Sequence, residues 1–120
     1  MSFFKTLFSG QSNESVTPEE AARRVAAGTA VLIDVREADE WADTGVAEPA
    51  LTLAMSELRG PSEAWKKALA ANKDREFMLY CRSGGRSGRV ADLLRDQGFK
   101  TFNIGGFSDW ERAGLPVRKV

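Results

Sequence analysis

The chain contains one cysteine, Cys81, and it closes a short apolar run, Phe77-Met78-Leu79-Tyr80. Arg82, Ser83, Gly84, Gly85, Arg86 and Ser87 follow it directly, and Arg89 comes two places later. A glycine-rich loop between a strand and a helix start can turn several backbone N–H groups toward one point, and the helix adds its dipole there. Sulfur held at that point is stabilised as the thiolate, its nucleophilic form. A free cysteine has a pKa of about 8.5, so only about 3% is ionised at pH 7. Lowering that value by about two units takes about 2.7 kcal/mol of preferential stabilisation. A helix N-terminus supplies about 0.3–1 kcal/mol. Inward N–H groups and the guanidinium groups of Arg82, Arg86 and Arg89 are the sources of the rest. Gly84 and Gly85 let the ring close, through positive φ and the absence of side chains at its centre. Packing of a small apolar side chain would need neither the glycine pair nor the arginines.

Composition removes other chemistries. There is no histidine among the 120 residues, so neither serine–histidine nor cysteine–histidine catalysis is open. One cysteine without histidine is a poor start for a zinc site, and no metal or other cofactor is expected. It also forbids an internal disulfide. Seventeen basic residues balance seventeen acidic ones, which gives no reason to expect nucleic acid as a partner. Lys66, Lys67, Lys73 and Arg75 are interleaved with Glu63 and Asp74 and read as a solvated face. No run reaches the ~18 apolar residues of a membrane span. Met1–Phe8 is apolar but short, broken by Lys5, and lacks the basic start of a signal peptide, so a cytoplasmic location is expected.

The elements that would position Cys81 alternate between strand and helix. Thr17-Pro18-Glu19-Glu20 reads as a capped helix start, followed by a buried stripe of Ala21, Ala22, Val25 and Ala26. Ala30-Val31-Leu32-Ile33 is an unbroken apolar strand leading into Asp34-Val35-Arg36. A strand without polar alternation is buried on both faces, as in a parallel sheet. Residues 37–43 predict a short helix with Trp41, residues 50–55 an extended segment, and Pro61 the start of a helix over 62–72 with Trp65. Glu76–Tyr80 predicts the second buried strand, and 87–97 a helix with Val90, Leu93 and Leu94 inward. Phe99–Ile104 predicts a third, before a helical turn at 108–112 containing Trp110. The three tryptophans are expected to pack rather than bind ligand. This is an α/β pattern with a mainly parallel sheet, whose ligands sit outside the carboxyl ends of strands, where Asp34 and Cys81 lie.

Three segments in this order resemble the rhodanese family: Leu32-Ile33-Asp34-Val35-Arg36-Glu37, Tyr80-Cys81-Arg82-Ser83-Gly84-Gly85-Arg86-Ser87, and Asn103-Ile104-Gly105-Gly106-Phe107-Ser108-Asp109-Trp110. The ending Ala113-Gly114-Leu115-Pro116-Val117 is similar too. The likeness covers residues 15–118, in single-domain form, preceded by an apolar segment and polar linker over 1–14. It implies a three-layer α/β fold with a central, mainly parallel five-stranded sheet flanked by helices. Where such domains carry Gly-His-Ile and then Pro-Gly-Ala, this chain reads Thr44-Gly45-Val46-Ala47-Glu48-Pro49-Ala50, with the histidine missing.

The resemblance implies a sulfurtransferase. Cys81 would take a sulfane sulfur from thiosulfate or a similar anionic donor as a persulfide and pass it to cyanide or a thiol, including a protein thiol such as that of thioredoxin. The segment from Arg82 through Ser83, Gly84, Gly85 and Arg86 to Ser87 would bind the donor, and Asp34, Arg36 and Arg89 would support the loop from behind by ion pairing. Two other classes stay open: an interaction or regulatory module on the same fold, and a phosphatase or arsenate reductase. The common phosphatase loop places five residues between cysteine and arginine; here position 87 is serine and the arginine falls one place early, at Arg86. The smaller ring suits one sulfur atom better than a tetrahedral oxyanion. Phe4, Leu7 and Phe8 share one helical face, which would pack on the domain or meet a second copy or a membrane surface.

Overall fold

A computed structural model describes residues 16–60 and 62–120. The expectations for residues 1–14, with Phe4, Leu7 and Phe8, lie outside the described residues.

The elements alternate as the sequence pattern requires: α1 (Pro18–Ala26), β1 (Ala30–Asp34), α2 (Ala38–Thr44), β2 (Val46–Ala47), β3 (Leu51–Thr52), a 3₁₀ turn (Met55–Arg59), α3 (Glu63–Ala71), β4 (Glu76–Cys81), α4 (Gly85–Asp96), β5 (Thr101–Gly106), α5 (Phe107–Arg112) and β6 (Val117–Arg118). Thr17 caps α1, its hydroxyl oxygen accepting the Glu20 N–H at 3.1 Å. Four strands form a parallel sheet in the order β3-β1-β4-β5. The fifth strand implied by the family likeness is not part of it. Val46–Ala47 instead pairs antiparallel with Val117–Arg118 as a separate ribbon.

The unbroken apolar runs of β1 and β4 are explained by two cores, one on each face. Side chains alternate across a strand. Ile33, Phe77, Leu79 and Cys81 therefore meet Trp65 of α3 and Val90, Ala91 and Leu94 of α4. Leu32, Met78 and Tyr80 meet Ala21 of α1 and Phe107 and Trp110 of α5. Each large side chain buried in this way contributes about 1.5–3 kcal/mol. The Trp65 and Trp110 indoles each donate to a backbone carbonyl, of Ala54 at 2.9 Å and Pro116 at 2.7 Å, so both sit in the interior without an unpaired donor. Two expected inward residues point out: Leu93 is 48% exposed and Ala26 is exposed. Val90 and Leu94, four apart, already fill the face of α4 that meets the sheet.

β1 lies between β3 and β4, and the chain leaves β1 and β4 toward opposite sides of the sheet. Asp34 is in register with Tyr80. The carboxyl ends of the two central strands thus place Asp34 beside the residue that precedes Cys81. A crevice at such a reversal of strand order is where open α/β sheets bind ligands.

Candidate active site

Cys81 ends β4, and α4 begins four residues later. Gly84, before the first helical residue, has φ +100°, a conformation that side-chain-bearing residues rarely adopt. That turn brings the Gly84 N–H to 3.1 Å from Sγ, and the Ser87 hydroxyl lies at 3.4 Å. Gly106 of β5 lets the loop pass: a Cβ there would stand 2.2 Å from the Arg82 carbonyl oxygen. Cys81 is 1% exposed. Burial opposes its ionisation, but the Ser87 hydroxyl, the Ser87 N–H and the Ser83 and Gly84 N–H groups outweigh burial and hold the thiol below its ordinary value. Of the inward donors expected, the Gly84 N–H and the Ser87 hydroxyl stand within hydrogen-bond distance of Sγ. Gly85 is not needed for crowding or positive φ, since a Cβ at that position would meet open space.

The arginines divide. Arg86 donates to both Glu40 oxygens, at 2.6 and 2.8 Å. That bond, ahead of burial, pushes the Arg86 guanidinium above its usual value and lowers Glu40 to about 2. Arg82 is exposed and has no ion-pair partner among the described residues. Arg89 is exposed and makes no hydrogen bond to the loop among the described residues, so it does not support it.

Asp34 and Arg36 pair with each other rather than with the loop. Their side chains are almost fully buried, with Nη2 to Oδ2 at 2.8 Å. The guanidinium also donates to the Thr44 hydroxyl at 3.0 Å and the Gly45 carbonyl at 2.9 Å, and stands 4.6 Å from the Phe107 ring centre. The pair therefore braces the segment that follows α2, where family members carry the missing histidine, and its Arg36 end enters the cavity beside the loop. That cavity, of about 430 Å³, is lined by Arg36, Arg82, Ser83, Phe107 and Ser108 together with the carboxylates of Glu40, Asp43 and Glu111.

Two contributors were not foreseen from sequence. Glu40, within the segment expected to be a short helix, accepts the Glu37 N–H at 3.0 Å and also anchors Arg86. Asn103 appeared only as part of a family segment. Its amide meets Gly84 and Ser87 of the loop.

The model of the rhodanese-like domain matches residues 17–113, and the chain belongs to that family. It is similar to YtwF of Bacillus subtilis, provisionally named a sulfurtransferase, with 41% identity over 86 residues, 71% of this chain and 77% of that protein. It is 37% identical over 83 residues to the thiosulfate sulfurtransferase GlpE of Coxiella burnetii, covering 68% of this chain and 71% of that one. Among solved structures, RPA3614 of Rhodopseudomonas palustris, described as a protein of unknown function and possible tyrosine phosphatase, superposes with a TM-score of 0.74 at 25% identity, over 98% of this chain and 100% of that one.

Proposed function

We propose that this protein is a sulfurtransferase that carries sulfane sulfur on Cys81. The observation behind this reading is Sγ itself, which faces the Gly84 N–H at 3.1 Å and the Ser87 hydroxyl at 3.4 Å with no histidine in the chain. The Cys81 thiolate attacks the outer sulfur of thiosulfate or a similar donor. The donor S–S bond breaks, sulfite leaves with its electron pair, and a persulfide remains on Cys81. Cyanide or a thiolate then takes the outer sulfur, and the electron pair of the second S–S bond returns to Cys81 as thiolate. Arg82 draws the anionic donor and offsets charge on the leaving sulfite. Arg86, engaged by Glu40, fixes the loop. The sulfurtransferase names of YtwF and GlpE support the same reaction class.

The phosphatase description of the Rhodopseudomonas relative favours a second reading, against which the short Cys81–Arg86 spacing stands. One experiment separates them: incubation with thiosulfate, then mass spectrometry, with an aryl phosphate assay beside it. The expected result is one added sulfur mass in the wild type, none in Cys81→Ser, and no phosphate release. Because Cys81 is 1% exposed, a wild type that stays unmodified would mean that the donor does not reach Sγ, and the reading would fail.

A further inference from the structure

We propose that Asn103 is the positioning residue of the Cys81 loop: from β5 its amide ties the Gly84 carbonyl and the Ser87 hydroxyl, keeping the Gly84 N–H aimed at Sγ and the hydroxyl within reach of it. The proposal rests on the reading of Cys81 as the nucleophile and adds the residue that sets its donors.

The amide makes three bonds. Nδ2 donates to the Gly84 carbonyl at 2.9 Å, and Oδ1 accepts from the Gly105 N–H at 3.1 Å and from the Ser87 hydroxyl at 2.7 Å. Its orientation is not interchangeable, because a carbonyl can only accept and a backbone N–H can only donate. Oδ1 therefore faces Ser87, and the single Ser87 proton must point to Oδ1 whenever it does not point to Sγ. While sulfur is a neutral thiol, S–H donates to the Ser87 oxygen and the hydroxyl donates to Asn103. When sulfur is ionised, the hydroxyl turns to Sγ across 3.4 Å, and the Gly105 N–H still satisfies Oδ1. In the persulfide the charge sits on the outer sulfur, and the hydroxyl turns back to Asn103. One rotation of an O–H bond thus follows the charge on Sγ, and no heavy atom moves.

The other bond carries the geometry. Gly84 holds its N–H on Sγ while its carbonyl is tied to Asn103 Nδ2, so the peptide on each side of this left-handed residue is fixed. Gly88 of α4 gives the amide its room: a Cβ there would stand 3.2 Å from Nδ2, and an amide pinned by three bonds has little slack to yield.

The test is the pH midpoint of Cys81 alkylation by iodoacetamide in the full chain, for the wild type, Asn103→Leu and Gly88→Ala, with thermal melting beside it. The charged groups around the site, Arg86 with Glu40 and the Asp34–Arg36 pair, are unaltered in both variants. The wild type is expected to titrate below an ordinary thiol. Both variants are expected to titrate higher by about half a unit or more, which is about threefold less thiolate at neutral pH. Alanine is a better helix former than glycine, which offsets part of the cost of displacing the pinned amide, so Gly88→Ala is expected to stay folded and to melt at or somewhat below the wild-type temperature. An upward shift in a well-folded Gly88→Ala supports positioning, because simple loss of stability does not produce it. If Asn103→Leu does not fold, Gly88→Ala decides alone. Variants that titrate with a low wild-type midpoint overturn this proposal and leave sulfur transfer standing. A wild type with an ordinary midpoint overturns both.

Discussion

Arg86 reaches past the loop it belongs to and places two nitrogens 2.6 and 2.8 Å from the two oxygens of Glu40. A fork-on-carboxylate pair is directional as well as attractive. Glu40 is itself held by the Glu37 N–H, and the Glu37 carboxylate accepts the Ser56 hydroxyl at 2.7 Å. A line of contacts therefore runs from the 3₁₀ turn through the start of α2 to the first turn of α4. It ties Arg86 of the loop to an anchor outside that loop.

The pair has a signature in acid. The Arg86 hydrogen bond, opposed by burial, lowers Glu40 to about 2, against about 4.3 for an unperturbed glutamate. A carboxyl depressed in the folded state contributes its stability fully above the unfolded value and loses it as pH falls through the folded one. Wild type is therefore expected to lose stability between about pH 5 and pH 2 more steeply than Glu40→Gln. Near pH 7 the variant is expected to be less stable by about 1 kcal/mol or less, because both side chains are partly solvated. Urea melts at several pH values check both statements; parallel stability curves would contradict the first.

Arg82 stands in contrast, exposed and lining the cavity. Arg82→Met is expected to lower kcat/KM for thiosulfate by about tenfold or more, through a higher KM and a lower kcat together because the guanidinium both draws the donor and offsets charge on the departing sulfite, and to change stability by less than about 0.5 kcal/mol. Added salt is expected to raise the wild-type KM more than that of the variant, since salt screens an exposed charge. Steady-state kinetics at two ionic strengths decide this, and equal salt responses would remove Arg82 from donor binding.

Much of this was legible in the chain because the signals are local. A run such as Ala30-Val31-Leu32-Ile33, short, apolar and rich in β-branched residues, fits a strand covered on both faces, and Cys81 followed by glycines and arginines announces a strand-to-helix turn. What was not legible depends on which residues distant in sequence become neighbours. Glu40 and Arg86 are 46 residues apart, and Ser87 and Asn103 are 16 apart. Glu40 already had a sufficient local role at a helix start, so nothing in its spacing marked a second one. Arg89 erred the other way: closeness in sequence put it in the site, but its place on α4 leaves it exposed. The small ribbon of Val46–Ala47 with Val117–Arg118 was hidden for a further reason. Two-residue strands carry no periodicity.

The Asp34–Arg36 pair gives the largest predicted effect. Both side chains are nearly fully buried, and Arg36 Nε also lies 3.1 Å from each Asp34 oxygen. The Arg36 N–H donates to the same carboxylate at 2.9 Å. Burial works against the Arg36 charge, and the Asp34 hydrogen bond and field more than offset it, leaving the guanidinium above its usual value. Arg36→Met leaves the Asp34 carboxylate buried without its guanidinium partner and releases the Thr44 hydroxyl and Gly45 carbonyl. Breaking such a pair costs about 3–5 kcal/mol. At about 4–8 °C per kcal/mol for a domain near this size, the melting temperature is expected to fall by at least about 12 °C. Removing both charges costs less than removing one, because no unpaired ion is left in the interior. Asp34→Asn combined with Arg36→Met is accordingly expected to melt above Arg36→Met alone. Calorimetry on the two variants reads the difference directly, and a double variant that melts lower would mean that packing by the Arg36 stem, rather than the buried charge, sets the cost.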